Sequence, residues 1–584
     1  MRWLLKSFDK NSASALAASL EIPAIVAQLL VQRGISEPEA ARTFLNPSLD
    51  QLHSPVLMLG MQKAVERLGA AISNKEDMLI YGDYDVDGTV AVVILKTAIE
   101  LCGGTVDFHV PHRIREGYGM KDDVIEAAAA AGVRLIISVD TGIRAFDAAK
   151  TAKRLGVDLI VTDHHLPEND ARIPDALAVL NPNQPGCEYP YKFLCGAGVA
   201  FKLAQALMAK LRGEVECARL LPSFIKMVAI ATIADAVPLT GENRVFTKLG
   251  LDGLRRPVNA GLRALFEVAK VGDKPGGVSA TDIGFRVAPR LNAAGRMDVA
   301  RDVIELFTTK DTARAKELAA KLHKLNAERQ AEELRILAAM QIRVDTDSEL
   351  QNAFCLVVDG DGWHRGVIGI CATRLVEKYG KPTLVIARDG EEGHGSGRSI
   401  PGFHLLDALD HESCKPLFSR YGGHSHAVGF ALPSERIPAL RSTMDAYART
   451  KLTLADLEPA LEVDGELDFD DLTPKLYDSL KRLEPFGQAN REPIFIIRNA
   501  RMVGPPRLLK EKHMKLRVAA GQNGRVLDVL AWRMAENLQG LNLLAGEPLD
   551  LAFRLDENLH PEFGGLQLIL CDLARAAVAA TAQA

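Results

Sequence analysis

From Met78 onward, short apolar runs alternate with segments whose apolar residues recur at helical spacing. MLIYGD (78–83), TVDFHV (105–110), RLIISVD (134–140), DLIVTD (158–163) and ALAVLN (176–181) have the length and continuity of buried strands. Between them the spacing predicts helices over Thr89–Leu101, 121–132 and Arg144–Gly156. This alternation predicts an α/β fold with a mostly parallel sheet covered on both faces. Ligands of such sheets sit at the carboxyl ends of strands. Asp83, Asp140 and the run Asp163-His164-His165 each follow an apolar strand directly.

The rest of the chain has a different texture. Residues 1–60 read as a helical preface of short amphipathic pieces, Ala15–Leu20, Pro23–Gln32 and Pro38–Leu45, broken by Pro, Gly and Asn. The parallel-sheet domain is expected over 61–310. A long polar helix follows over 311–346, with Leu318, Leu322, Leu325, Leu337 and Met340 in an apolar stripe. A second α/β lobe is expected over 347–455, with strands FCLVVDG and PTLVIAR and a glycine-rich stretch near 393–430. Residues 460–575 alternate in short runs and predict an all-β module the size of a five-stranded oligonucleotide-binding barrel. The Ala-rich last residues are expected to fray.

Composition changes this picture little. With 584 residues the chain is too long for one core, and 47% hydrophobic with 25% charged residues is an ordinary globular balance. No apolar run reaches the ~20 residues of a membrane helix, and MRWLLKSFDK lacks the apolar core of a secretory signal, so no membrane partner and a cytoplasmic location are expected. None of the eight cysteines sits in a CxxC pair, which points to buried thiols rather than disulfides or a zinc knuckle. The net charge of −5 argues weakly against nucleic acid, but it does not locate charge, and acidic metal ligands mask a basic groove in the total.

The chemistry lies in the acids at the strand ends. DYDVDG packs Asp83, Asp85 and Asp87 into five residues, which is electrostatically costly without cations. Alone, the loop reads equally well as a solvated acidic turn. An EF-hand reading fails because Ile94 stands where its Glu belongs. Asp140 alone would read as a helix cap. Two adjacent histidines after a strand cannot both face the core, and Asp235 inside IATIADAVPL (230–239) must be capped, paired or metal-bound. Taken together, four to five carboxylates and a histidine at one sheet edge suit Mn²⁺, and a pair of divalent ions there would serve phosphodiester hydrolysis.

YGDYDVDG, SVDTG, VTDHH and IADAVPL resemble the four motifs of the DHH phosphoesterases. GWHRGVIGI (362–370), GSGRS (395–399) and GGHSHAVGF (422–430) resemble their DHHA1 domain, and PHRIREGYG (111–119), LNAAGRM (291–297) and LNAERQ (325–330) narrow the resemblance to the RecJ branch. It covers nearly the whole chain in the right order. It implies a metal-dependent exonuclease that degrades single-stranded DNA from the 5′ end, in DNA repair and recombination. It also implies two ions, Mn²⁺ or Mg²⁺: Asp83 and Asp140 on one, and Asp85, Asp140, His164 and Asp235 on the other. Asp163 would orient the histidines, His165 would face the scissile phosphate, and Asp87 would brace the loop. Many DHH phosphatases carry a histidine four residues before the first motif Asp; here that position is Leu79, a trait shared with the RecJ branch.

Residues for the DNA follow the same resemblance. Arg113, Ser396 and Arg398 match a 5′-phosphate pocket, for which a guanidinium fork is suited. Without the resemblance, Arg113 reads as a salt bridge to Glu116 and GSGRS as a plain turn, in which Gly397 would let a phosphate approach the backbone. Arg296, Arg374 and His424 are further contacts to nucleotide, and Tyr118 and Phe403 are candidates for stacking. RLLKEKHMKLR (507–517) carries a local charge of +4, which on a barrel would form a groove tracking DNA. A single-strand-binding protein, a RecQ-like helicase and a monomeric state are implied by the family alone. Two other readings remain: a DHH phosphodiesterase acting on short oligonucleotides, and a non-catalytic replication scaffold.

Overall fold

A computed structural model of the chain describes residues 2–113, 115–117, 119–168, 170–272, 276–297, 300–519, 524–560 and 564–576. It contains two compact units. One is built from 53–235 and 250–459, the other from 1–52, 236–249 and 460–584.

In the first unit the apolar runs become a five-stranded parallel sheet. Its strands are β1 (Met78–Tyr81), β2 (Asp107–His109), β3 (Leu135–Val139), β4 (Asp158–Thr162) and β5 (Ala178–Leu180), in the order β2-β1-β3-β4-β5. The order reverses at β1, so the crevice of the sheet opens at the carboxyl ends of β1 and β3. Asp83 and Asp140 leave from those two ends. The helix after β1 begins at Val86, inside DYDVDG, because the Asp85 side chain caps it by accepting from the Gly88 amide at 3.0 Å. Helix Glu214–Ala234 delivers Asp235 at its C-terminus. Its length and apolarity would suffice to cross a membrane, which the reading by apolar runs missed, yet 56% of its apolar window is buried within the protein.

Helix Thr312–Thr346 leads into the second sheet, with Leu318, Leu322 and Met340 buried and Leu325 and Leu337 half-buried. That sheet has strands β6 (Leu356–Asp361), β7 (Thr383–Asp389), β8 (Glu392–Arg398), β9 (Arg420–Gly423) and β10 (Ala427–Pro433), in the order β9-β10-β8-β7-β6. Only β6 and β7 run parallel. GSGRS is therefore mostly strand, not turn. A Cβ on Gly397 would meet Leu384, Leu405 and Val428, so this glycine serves core packing rather than phosphate approach. Phe403 is buried in the same core and packs edge-on against Tyr447, so it offers no stacking face. Tyr118 lies outside the described residues.

The second unit contains the barrel. β11 (Phe495–Met502), β12 (His513–Ala519), β13 (Val526–Ala531), β14 (Pro548–Asn558) and β15 (Gly565–Arg575) are ordered β11-β14-β15-β13-β12, and β12 pairs back onto β11 to close the ring. The parallel β13–β15 pair and the closure are those of an oligonucleotide-binding fold. Arg507–Leu509 pairs with β12, so the basic run is a hairpin in which Lys515 bonds to Asp528 and Arg517 is exposed. The N-terminal helices are not a separate preface. Leu16, Val26, Leu29, Leu30 and Phe44 share one hydrophobic core with Phe495, Leu516 and Phe553 of the barrel, and Arg2–Leu5 forms an unexpected strand parallel to Ala460–Val463.

Candidate metal centre and DNA-end site

The strand ends bring the acids together. Ligand atoms of Asp83, Asp85 and Asp140 lie within 4.8 Å of one another, as do those of Asp87, His164 and Asp235, and those of Asp140, His164 and His165. His164 Nε2 is 3.3 Å from Asp140 Oδ1 and 3.8 Å from both Asp235 Oδ2 and Asp87 Oδ2. Asp85 thus gathers with Asp83 and Asp140, whereas the resemblance puts it on the His164 side.

Local backbone and small residues make this packing possible. Asp140 adopts φ +58°, a conformation an Asp tolerates but rarely takes outside special sites. Gly196 opens helix Gly196–Arg212 against that carboxylate, and a Cβ there would overlap the Asp140 side chain. A Cβ on Gly88 would lie 2.7 Å from atoms of Asp83. Asp87 accepts from the amides of Gly196 (2.6 Å) and Ala197 (2.8 Å), so its charge sits on the positive end of that helix.

The electrostatics demand a counter-ion. Burial, then the charge of Asp85, pushes the Asp83 carboxyl up to about 8. Burial, then Asp87, Asp85, Asp83 and Asp235, drives Asp140 well above the carboxylate range. Asp235 is raised the same way by burial and by Asp87 and Asp85. Oδ1 of Asp83 and Oδ1 of Asp140 are buried with no hydrogen bond. Buried acceptors without donors, set among like charges, fit divalent cations.

The histidines divide the labour. Asp163 accepts from the amides of Ile143, His164 and His165 and binds His165 Nδ1 at 2.7 Å. Burial would raise this acid, but the bond to His165, the charges of both imidazoles and the Ile143 amide outweigh it and hold it at about 2. In return His165, despite its burial, is raised to about 9 by Asp163. His164 is lowered by burial and by the charge of His165, which favours the neutral imidazole that a metal ligand needs. Asn181 and Asn183 clamp the loop by donating to the carbonyls of His165 and His164, both at 2.9 Å. Sequence reasoning missed these asparagines and Gly196. The run ALAVLNPN held the only local signal, two asparagines after a strand.

A cationic flank adjoins the acids. Arg113 stacks over Tyr84 at 4.9 Å, while Glu116 binds His109 and the His112 amide, so the alternative Arg113–Glu116 salt bridge is not what holds this loop. Burial lowers Arg296 to about 10, helped by the charges of Arg113, Arg329 and Arg398, and its guanidinium donates to the Gly366 carbonyl at 2.9 Å. Arg398 is lowered by burial and by Arg113; it donates to Ser396 Oγ at 3.1 Å. A Cβ on Gly369 would lie 2.9 Å from Ser396 Oγ, so this pair abuts the first turn of helix Ile368–Tyr379. His424 is exposed on its loop, and partial desolvation there, then the charges of His426 and Arg398, lower it. Arg374 stands differently: its guanidinium is engaged by Glu333 and Glu377.

A switch-point acid cluster beneath a cationic second lobe defines a DHH-type phosphoesterase. Residues 77–232 match the DHH family N-terminal domain, 351–450 the DHHA1 domain and 463–572 the RecJ OB domain. The chain is 38% identical over 544 residues to the single-stranded-DNA-specific exonuclease RecJ of Bacillus subtilis, across 93% of this chain and 67% of that protein. It is 33% identical over 567 residues to RecJ of Escherichia coli, across 94% and 96%. The crystal structure of RecJ in complex with Mn²⁺ from Thermus thermophilus superposes with a TM-score of 0.82 at 29% identity, covering 99% of this chain and 80% of that one. The chain belongs to the RecJ family.

Proposed function

We propose that this chain is a metal-dependent exonuclease that hydrolyses single-stranded DNA from its 5′ end to 5′-mononucleotides. The observation that carries the reading is the pair of buried, undonated oxygens on Asp83 and Asp140 at the switch point of the sheet. Asp83, Asp85, Asp140, His164 and Asp235 would hold the ions, with Asp140 shared between them, and Asp87 braces the helix beside them. Bound there, divalent ions supply Lewis acidity toward the phosphate and a lowered pKa for water.

The chain's own groups do the rest. The imidazolium of His165, held by Asp163, faces the cluster and offers positive charge to the scissile phosphate. Arg113, Ser396 and Arg398 offer donors to a terminal 5′ phosphate, and the mutual repulsion of Arg113, Arg296 and Arg398 is relieved when an anion arrives. His424 belongs to the same binding surface. Arg374 joins it only by releasing its glutamate partners.

The barrel supports a role in holding single-stranded DNA. A single-strand-binding protein and a RecQ-like helicase as loading partners, a monomeric state, and cytoplasmic work in repair and recombination complete the reading; these rest on family membership. The test uses purified protein, Mn²⁺ or Mg²⁺, and oligonucleotides labelled at either end. Mononucleotides are expected from the 5′ end of single strands, with Asp140→Ala inactive but still binding DNA. Release from the 3′ end, or equal attack on duplex, would overturn it.

A further inference from the structure

Beyond the end-binding pair lies a second cationic cavity of about 490 Å³, lined by Arg113, Arg115, Arg365, Arg420 and His394. The one acid among its lining residues, Glu116, is already committed to His109 and the His112 amide, and His394 pairs with Glu392 at 3.1 Å. Among the described residues Arg365 pairs only with the well-exposed Asp389. Among the described residues Arg113, Arg115 and Arg420 make no ion pair within 4 Å, so at least three guanidiniums face this space without a fixed counter-charge. Isolated surface arginines are common. Four around one cavity repel each other and fit a multiply charged anion. The aromatic lining, Tyr421 and Phe430, is packed around Phe418, so the wall offers charge rather than a stacking face.

Position says what the anion is attached to. His394, Ser396 and Arg398 stand at alternate positions of β8, hence on one face of the strand, about 6.6 Å apart step by step. Gly429, which pairs with Ser396, lines the cavity, and nothing lies within 4 Å of where its Cβ would be. Arg113 belongs to both places: it lines the cavity, and its charge is felt by Asp83 and Arg398. A phosphate held at Ser396 and Arg398 therefore has open, positively charged space next to it, on the scale of two more phosphates in a chain.

We propose that this cavity is a polyphosphate subsite through which the enzyme accepts single strands bearing a 5′-triphosphate and releases the first residue as a nucleoside triphosphate. The inference rests on Ser396 and Arg398 binding the phosphate attached directly to the 5′ oxygen. The chemistry needs only water: its oxygen adds to phosphorus of the first internucleotide diester, the P–O3′ bond breaks, and the 3′ oxygen leaves with a proton. The departing nucleotide keeps all three phosphates, and the shortened strand begins with a monophosphate.

The experiment compares one oligonucleotide sequence carrying a 5′ hydroxyl, monophosphate or triphosphate, with the full chain and Mn²⁺, and separates the first product by anion-exchange chromatography. The wild type is expected to release a nucleoside triphosphate, at a KM no higher than for the monophosphate end. Arg365→Ala and Arg420→Ala, made separately, should each raise the KM for the triphosphate end five- to tenfold relative to the monophosphate end in the same variant. Rejection of the triphosphate by the wild type, or an unchanged ratio in both variants, overturns the subsite. Arg398→Ala tests the underlying assignment independently: it should erase the preference for the monophosphate over the hydroxyl end, and if that preference survives, the end-binding pair itself is wrong.

Discussion

The Asp140 carboxylate occupies the space where a side chain on Gly196 would stand, so the first residue of helix Gly196–Arg212 is small because a candidate metal ligand packs onto it. The same helix turn donates two amides to Asp87. One glycine thereby sets the separation of two acids from different motifs.

Gly196→Ala should displace Asp140 without touching the reacting atoms. Disturbing the support of a metal ligand typically costs 10–100-fold in affinity or activity. The expected outcome is a loss of that size in kcat/KM with Mn²⁺, matched by weaker Mn²⁺ binding in calorimetry, while circular dichroism stays native. Full activity would mean that Asp140 has room to spare.

Mn²⁺ should stabilise the protein more at pH 8 than at pH 6. Without metal, burial and Asp85 hold the Asp83 carboxyl at about 8, and burial with its acidic neighbours raises Asp140 and Asp235 as well. A carboxyl raised in the folded state weakens the metal-free fold progressively as pH climbs from its unfolded value, 3.8, to its folded one. Below that folded value, protons also compete with the ion. These are one linkage seen from two sides, and the stabilisation by Mn²⁺ grows as pH rises toward the folded value, which thermal melts with and without the ion will measure.

Asp163→Asn should destabilise the fold most between about pH 4 and 6.5. The acid is held at about 2 and His165 at about 9, against ordinary values of 3.8 and 6.5. The depressed acid contributes stability above 3.8 that is lost as pH falls through 2. The raised histidine contributes stability below 6.5 that is lost as pH rises through 9. The difference between wild type and variant in urea unfolding should peak at roughly 2 kcal/mol inside that window and shrink on both sides. A flat difference would separate the two residues energetically.

Arg244→Ala should lower stability by at least about 3 kcal/mol. This arginine is 2% exposed, lies 3.8 Å from the centroid of Phe44, and donates to the carbonyls of Phe44, Leu483, Arg482 and Glu484. Burial, and then the charge of Arg33, lowers it to about 9. Removing it strands buried carbonyls in two chain segments. Lysine, with one compact ammonium, should recover less than half of the loss in denaturant melts.

Much of the site was legible along the chain because its signals are local. A strand's apolar run and the acid at its end are neighbours in sequence, so Asp83, Asp140 and the Asp163–His165 run stood at carboxyl ends before any contact was known. Periodicity likewise placed the long helix and the barrel strands. Other features depended on partners far away. GSGRS reads as a turn until Phe430 and Val428 are seen packing over its glycines. Arg374 reads as free until Glu333 of the long helix meets it.

The sequence by itself determined which residues could carry charge, and at which strand ends, because alternation and helical spacing are written in consecutive positions. Only the tertiary structure decided that the first 45 residues share the barrel's core, that Gly196 and two asparagines shape the acidic cluster, and that four arginines surround one cavity. Those relations are made by close packing between segments up to hundreds of residues apart, and such packing leaves no mark in either segment read alone.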